Sequence, residues 1–467
     1  MPATHDRAAA PVLDRVHLVG VGGAGMSGLA RVLLARGAEV SGSDARDSAV
    51  LAALRAQGAR VHVGHDGAHA AGAGVVVVST AIRADNPELV AARAAGTPVL
   101  HRGAVLAALM AGRRSACVAG THGKTTTTSM LTRALQHCGA DPSFAIGGDL
   151  DAPGSNAHHG SGDIFVAEAD ESDGSFLLLT PEVAIVTNVE ADHLDHWGSA
   201  EAITEAFRSF AARVQPEGTL VTCADDVGAR ALAASARAAG THVLTYGRAA
   251  DADVVLGRLL LLPGGGSTAV LSGGASTALR LRVSGEHNVL DATAAVCAGV
   301  LLGQPADGLA EALAGFTGVR RRFEPRGAAG GVVVYDDYAH HPTEVTATLR
   351  AARQVAGAGR VVAVFQPHLP SRTAIFAEEL GAALALADAV VVMDVYAARE
   401  DPVPGVTGEL VARAVPVGTP VVYQPVWTAT AATVTRLVHP GDLVVLLGAG
   451  DVTQLAPVLL ATLAPVP

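Results

Sequence analysis

The sequence predicts an α/β protein of three consecutive domains, each built on a mostly parallel sheet, and three observations support this. Short β-branched runs alternate with Ala- and Leu-rich helical stretches along nearly all 467 residues, which is the pattern of repeated βαβ units. Glycine-rich turns lead from a strand into a helix at two separate places, residues 20–28 and residues 120–123. Polar residues cluster directly after the apolar runs, where open parallel sheets bind their ligands. A chain of this length outgrows one core and accommodates about three domains.

The first unit opens with the strand Arg15-Val16-His17-Leu18-Val19, followed by Gly20-Val21-Gly22-Gly23-Ala24-Gly25-Met26-Ser27-Gly28. A second strand ends at Asp44, and a third, residues 75–78, runs into Ser79. Strand, glycines, helix and then an acid about 20 residues on form a dinucleotide-type fingerprint in its proper context. The structural alternative is a glycine turn needed only for helix–strand packing. The chemical reading is a pyrophosphate seated on the helix N-terminus, whichever nucleotide carries it.

The second unit carries the sharper signal. Lys124 is the sole lysine of the chain, the other 32 basic residues being arginine. It sits in Gly120-Thr121-His122-Gly123-Lys124-Thr125-Thr126, between a strand at residues 115–119 and a helix at 125–135. A tight turn aims several backbone N–H groups at one point, where a compact ammonium suits a phosphate better than arginine's planar fork. The Thr125 hydroxyl is placed for Mg2+. This loop predicts a nucleoside triphosphate site.

Two further strands of that unit, residues 163–167 and 183–186, also end in chemistry. Glu168-Ala169-Asp170-Glu171-Ser172-Asp173 follows the first, and residues 187–193, with Asn188 and His193, follow the second. Adjacent strand ends would gather Lys124, Thr125, Glu168, Asn188 and His193 around one space. Hydroxyl, carboxylate and imidazole there favour a Mg2+ site at Thr125, Glu168 and His193 over a solvated acidic loop. Residues 252–283 suggest a small antiparallel excursion. The His158-His159 pair falls in an expected loop and reads as solvated.

The third unit has strands at 332–335, 361–365, 389–392 and 443–447. Each again ends in polar residues: Asp336-Asp337-Tyr338-Ala339-His340-His341-Pro342, then Gln366-Pro367-His368, Asp394-Val395-Tyr396 and Gly448-Ala449-Gly450-Asp451. Four such endings in one sheet indicate a functional rim.

Composition limits the alternatives. Half the residues are apolar, 16% are charged and only 3% are aromatic, so the cores must be packed with Ala, Val and Leu. A net charge of −11, with no basic stripe interleaved with aromatics, argues against nucleic acid. Cys117, Cys138, Cys223 and Cys297 show no metal or redox spacing and read as buried thiols of a reducing, cytoplasmic compartment. Residues 1–11 read as a disordered arm without the apolar core of a signal peptide. No stretch approaches 18 uninterrupted apolar residues, so membrane insertion is not expected. Oligomeric state stays open between monomer and weak dimer.

Taken in order, these motifs resemble the Mur ligase family of ATP-dependent amide-forming enzymes over about residues 16–451. The resemblance rests on residues 20–30, 120–126, 168–173 and 188–193, on Glu286-His287-Asn288-Val289-Leu290, on Arg321-Arg322-Phe323-Glu324, and on residues 336–344. Within the family the likeness points to the members that join L-alanine to UDP-N-acetylmuramate. It implies a Rossmann-like UDP-sugar domain at 1–112, a P-loop ATP-binding domain at 113–320, and a Rossmann-like domain at 321–467 that binds the amino acid and closes over ATP. UDP would lie over Gly22, Gly23, Ala24, Gly25, Met26 and Ser27, with Asp44, Ser79, His101 and Arg102 near the UDP-sugar. Residues 120–126 would hold ATP, assisted by His287, Asn288, Arg322 and Asp337. Tyr338, His340, His368 and Arg372 would lie near the alanine, His340 being the candidate base.

Two departures from the family pattern stand out. Several relatives use a carbamylated lysine for a second metal, and this chain has no lysine beyond Lys124. An arginine that the resemblance leads one to expect after Gln366-Pro367-His368 is replaced by Leu369, so carboxylate recognition would lean more on Arg372. The implied chemistry is an acyl phosphate formed from a lactyl carboxylate and ATP, then attacked by the alanine amine. A recycling ligase that attaches a preformed peptide is the alternative within the family. A nicotinamide oxidoreductase leaves the triphosphate loop idle, and a nucleotide-driven switch leaves the third rim unexplained.

Overall fold

A computed structural model describes residues 11–150, 154–398 and 400–464, so the expected arm at 1–11 lies almost entirely outside the described residues. The chain divides into two compact units. The first holds residues 1–255, 273–275 and 293–309, and the second holds 256–272, 276–292 and 310–467.

The first unit contains two sheets. One is parallel throughout, in the order Arg60–Val63, Glu39–Asp44, Arg15–Val19, Val75–Val78, Val99–His101. The other includes, in order, His242–Gly247, Thr219–Cys223, Val183–Val186, Arg114–Ala119, Ile164–Glu168 and Ser143–Ala145, and these six strands are parallel. Val-rich central strands buried on both faces explain both sheets, since helices cover each side. One apolar cluster extends from Val16 and Met26 of the first sheet region to Phe176, Phe207 and Ala236 of the second. The two sequence-expected domains here thus share a core.

The second unit has a six-stranded sheet in the order Glu324–Ala329, Val332–Asp337, Leu443–Leu447, Val361–Phe365, Ala389–Met393, Val421–Gln424. Its first pair is antiparallel and the others are parallel. Separate apolar clusters line its two faces. The excursion expected near residues 252–283 includes an antiparallel pairing of Ser267–Gly273 with Thr277–Leu281.

Three local expectations change. Asp336 and Asp337 belong to the strand rather than the loop after it, because they pair with Leu446 and Leu447. His158 lies on the short edge strand Ala157–His158, paired antiparallel to Ser143–Ala145, and not in a loop. All four cysteines are free, but Cys138 is only half-buried. No helix among the described residues is long and apolar enough to cross a membrane.

Candidate active site

The triphosphate-type loop is braced by the neighbouring strand end. Asn188 accepts the His122 backbone N–H at 2.8 Å, and its amide donates to the His122 carbonyl at 3.2 Å. Gly120 has φ +129°, and a Cβ there would stand 2.0 Å from Thr187 Oγ1. Gly123 is left-handed at φ 81° and starts the helix Lys124–His137 without a side-chain cap. Only glycine accepts such backbone without strain. The loop's shape therefore depends on both its own glycines and residues 187–188.

Lys124 and the acid run face each other across that loop. The ammonium donates to the Gly120 carbonyl at 2.7 Å, the Thr121 carbonyl at 3.1 Å and Glu171 Oε1 at 2.7 Å. Burial alone would lower the lysine's pKa, but Glu171, Asp170 and Glu168 raise it above the usual value. Glu171 is fully buried, and burial pushes its carboxyl up to about 7 against the pull of Lys124. The sequence pattern points to Glu168 in this run and does not single out Glu171. Its only sequence signal was membership of the run.

Thr125 Oγ1 donates to Glu168 Oε1 at 3.0 Å, and the Gly147 N–H donates to Glu168 Oε2 at 2.7 Å. A hydroxyl and a carboxylate this close form a hard-oxygen donor set that suits a divalent cation next to phosphates. His193, left-handed at φ 51°, brings Nε2 to 3.6 Å from Glu171 Oε1 and 3.7 Å from Asp192 Oδ2. The five residues expected to gather at three strand ends do come from adjacent strands, Val183–Val186, Arg114–Ala119 and Ile164–Glu168.

The first glycine motif is similarly organised. Helix Ala24–Ala35 begins without a side-chain cap, so its first turn presents backbone N–H groups. Gly22 donates its N–H to Asp44 Oδ2 at 2.9 Å, and a Cβ on Gly22 would meet that oxygen at 2.8 Å. A Cβ on Gly25 would lie 3.3 Å from Arg102 Nη1. Arg102 pairs with Asp170 and Asp173. His101 caps its helix by accepting the Gly103 N–H at 3.3 Å and lies 3.6 Å from Asp173. Burial is the first cause lowering the His101 pKa. Met26 and Ser27 are buried, Met26 in the apolar core, which leaves their backbone rather than their side chains at the turn. Ser79 begins the turn after Val75–Val78, its carbonyl accepting the Ile82 N–H.

In the second unit, Arg321 and Arg322 stand 4.8 and 5.3 Å from the Tyr338 ring centroid. Asp337 accepts N–H groups of Phe323 and Ala339, each at 2.7 Å, and burial raises it to about 6 despite Arg322. His287 is driven down to about 4 by burial and then by Arg322, and Asn288 donates to the Ser284 carbonyl at 2.6 Å. His340 Nδ1 lies 2.9 Å from the Tyr338 carbonyl. A carbonyl only accepts, so Nδ1 carries the hydrogen and the lone pair of the neutral ring is on Nε2. His368 is edge-on to His340 and stacked with Tyr396. Arg372 is buried nearby in sequence, after Leu369, whose φ of 66° starts the helix Pro370–Leu384.

Three family descriptions match this chain: the Mur ligase family catalytic domain over residues 15–114, the Mur ligase middle domain over 118–299, and the Mur ligase glutamate ligase domain over 321–450. A UDP-N-acetylmuramate–L-alanine ligase of Saccharopolyspora erythraea is 61% identical over 461 residues, covering 96% of this chain and 93% of the relative. A UDP-N-acetylmuramate–alanine ligase of Thermotoga maritima superposes with a TM-score of 0.81 at 28% identity, covering 96% of this chain and 98% of that one. A murein peptide ligase of Psychrobacter arcticus shares the fold, with a TM-score of 0.69 at 24% identity over 97% of this chain and 99% of its own.

Proposed function

The chain belongs to the Mur ligase family, and on that premise we propose that it ligates L-alanine to UDP-N-acetylmuramate at the expense of ATP, in peptidoglycan precursor synthesis. The observation that carries the reading is the loop of the sole lysine. A point charge, a Thr125–Glu168 oxygen pair and a helix N-terminus converge at three adjacent strand ends.

The lactyl carboxylate attacks the γ-phosphorus of ATP, the bond to the β,γ-bridging oxygen breaks, and ADP leaves. The alanine amine then attacks the acyl carbon of the resulting acyl phosphate. It loses a proton, and phosphate departs from the tetrahedral intermediate. A carboxylate is a poor electrophile and repels a triphosphate. Lys124 and the loop N–H groups offset that charge and hold the reactants in line. Mg2+ held by Thr125 and Glu168, with His193 from the neighbouring strand end, would add further charge neutralisation at the phosphates.

In the first unit the glycine turn at residues 22–27, with Asp44, Ser79, His101 and Arg102, takes the UDP-sugar. By the same motif correspondence, His287, Asn288, Arg322 and Asp337 serve the nucleotide, and Tyr338, His368 and Arg372 serve the amino acid. His340 is the base, its Nε2 lone pair being the one free of the Tyr338 carbonyl. The domain assignment 1–112, 113–320 and 321–467 follows this division of labour. The work takes place in the cytoplasm, in keeping with four free thiols.

The test is phosphate release from ATP and Mg2+ with UDP-N-acetylmuramate, with and without L-alanine. Release that requires both acceptors, with a product heavier by one alanyl residue, is the expected result. Release indifferent to alanine, or dependent on a tripeptide in its place, overturns it.

A further inference from the structure

Glu171 lies in the turn after Ile164–Glu168, and its backbone is held from two sides. Its carbonyl accepts the Trp197 indole N–H at 3.0 Å and the Gly174 N–H at 3.2 Å. The side chain is fully buried. Its Oε1 receives the Lys124 ammonium at 2.7 Å and lies 3.6 Å from His193 Nε2. Its Oε2 is buried with no hydrogen-bond partner among the described residues. A buried carboxylate with one oxygen unsatisfied carries a desolvation cost of about 1–3 kcal/mol. Replacing Glu171 alone would leave the Lys124 ammonium without its carboxylate partner, which is strongly destabilising in a buried pair.

The three residues come from the ends of three adjacent strands. Lys124 follows Arg114–Ala119, Glu171 follows Ile164–Glu168, and His193 follows Val183–Val186. One carboxylate oxygen thus accepts the Lys124 ammonium and lies 3.6 Å from the His193 imidazole, which follows a different strand. The neighbouring Asp170 makes its ion pair with Arg102, at 2.7 Å, while the hydrogen bond to the Lys124 ammonium comes from Glu171.

We propose that Glu171 is a positioning residue of the ligation: its Oε1 sets the place of the Lys124 ammonium relative to His193 across three strand ends. The inference rests on the ligase reading above. A displacement of about 1 Å in such a group costs on the order of 10²-fold in rate. Glu171→Gln keeps the length and an acceptor for Lys124, whereas Glu171→Ala removes both.

The sole lysine gives this a readout independent of turnover. In the full chain labelled with 15N-lysine, the single side-chain ammonium signal reports Lys124 alone. Glu171→Ala should shift and broaden that signal, lower kcat about 10²-fold and weaken ATP binding in calorimetry. The affinity for UDP-N-acetylmuramate and the KM for L-alanine should stay within about twofold. Glu171→Gln should recover much of the signal position and part of kcat. An unchanged ammonium signal with wild-type kcat in a folded Glu171→Ala variant overturns the proposal. So does an equal loss of UDP-sugar affinity, which would mark a purely structural role. If the wild-type chain makes no alanyl product, the ligase reading fails instead, while the ammonium signal and ATP calorimetry still judge whether Glu171 positions Lys124.

Discussion

Arg102 Nη2 stands 2.7 Å from Asp170 Oδ2, so the helix after Val99–His101 is joined by charge to the acid run after Ile164–Glu168. The same guanidinium reaches Asp173 Oδ2 at 2.8 Å. Burial alone would raise the Asp170 carboxyl, but Arg102 and Lys124 hold it at about 2.

Removing Arg102 should therefore destabilise the first unit by about 3 kcal/mol at neutral pH, the usual size for breaking a largely buried pair. Asp170's pKa is depressed below its unfolded value of about 3.9, so the stabilisation is present above pH 4 and is lost as pH falls towards 2. Calorimetric melting of Arg102→Ala against wild type should show a gap at pH 7 that narrows across that window. A gap of constant size would exclude the ion pair as its cause.

Asp44 accepts the Gly22 N–H and so braces the first turn, whose backbone N–H groups face a pyrophosphate on the proposed reading. Asp44→Ala should weaken UDP-N-acetylmuramate binding about tenfold in calorimetry, the size of one hydrogen bond to a charged group. ATP affinity should be unchanged, because the loop at residues 120–126, the proposed triphosphate site, is braced separately by Asn188.

On the proposed reading Lys124→Ala should lower kcat by about 10²–10³, since it would remove a charge placed where phosphoryl charge develops. UDP-sugar binding should survive within about twofold. Comparable loss of both would contradict the separation of the two sites.

Gly120→Ala places a methyl group 2.0 Å from Thr187 Oγ1 at a φ of +129°. Backbone strain of about 1–3 kcal/mol and the clash together should distort the loop. Turnover should fall at least 10²-fold with the alanine KM unaltered. Near-normal turnover would show that the loop tolerates another shape.

Glu88, fully buried in the helix Pro87–Ala94, meets His17 at 3.2 Å, His69 at 3.1 Å and Ser43 at 2.6 Å. Burial alone would raise its pKa, yet the hydrogen bonds from His17, Ser43 and His69 hold it at about 2. Its stabilisation is therefore present above the unfolded value of about 4.3 and lost as pH drops to about 2. His17→Ala should move the acid unfolding midpoint, followed by circular dichroism, to higher pH, and Ser43→Ala should do the same to a smaller extent. An unmoved midpoint in both would contradict the network.

The α/β architecture is legible in the linear sequence, because alternating β-branched and Ala/Leu-rich runs are local and each strand reads as an apolar block. The two glycine turns and the place of Lys124 are legible there too, since strand, glycine and helix are neighbours along the chain. Tertiary structure decided which acid meets that lysine. Glu168, Asp170, Glu171 and Asp173 are alike in a linear reading. Strand order and the turn after Glu168 send Glu168 to Thr125, Asp170 and Asp173 to Arg102, and Glu171 to Lys124. The Glu88 network leaves no linear signal for the same reason: its partner His17 lies 71 residues away. The shared core of the first two sheets is likewise a product of packing, which joins Met26 to the cluster holding Phe176. Periodicity and turn chemistry act over a few residues, whereas burial and pairing act between whichever residues the folded sheets bring together.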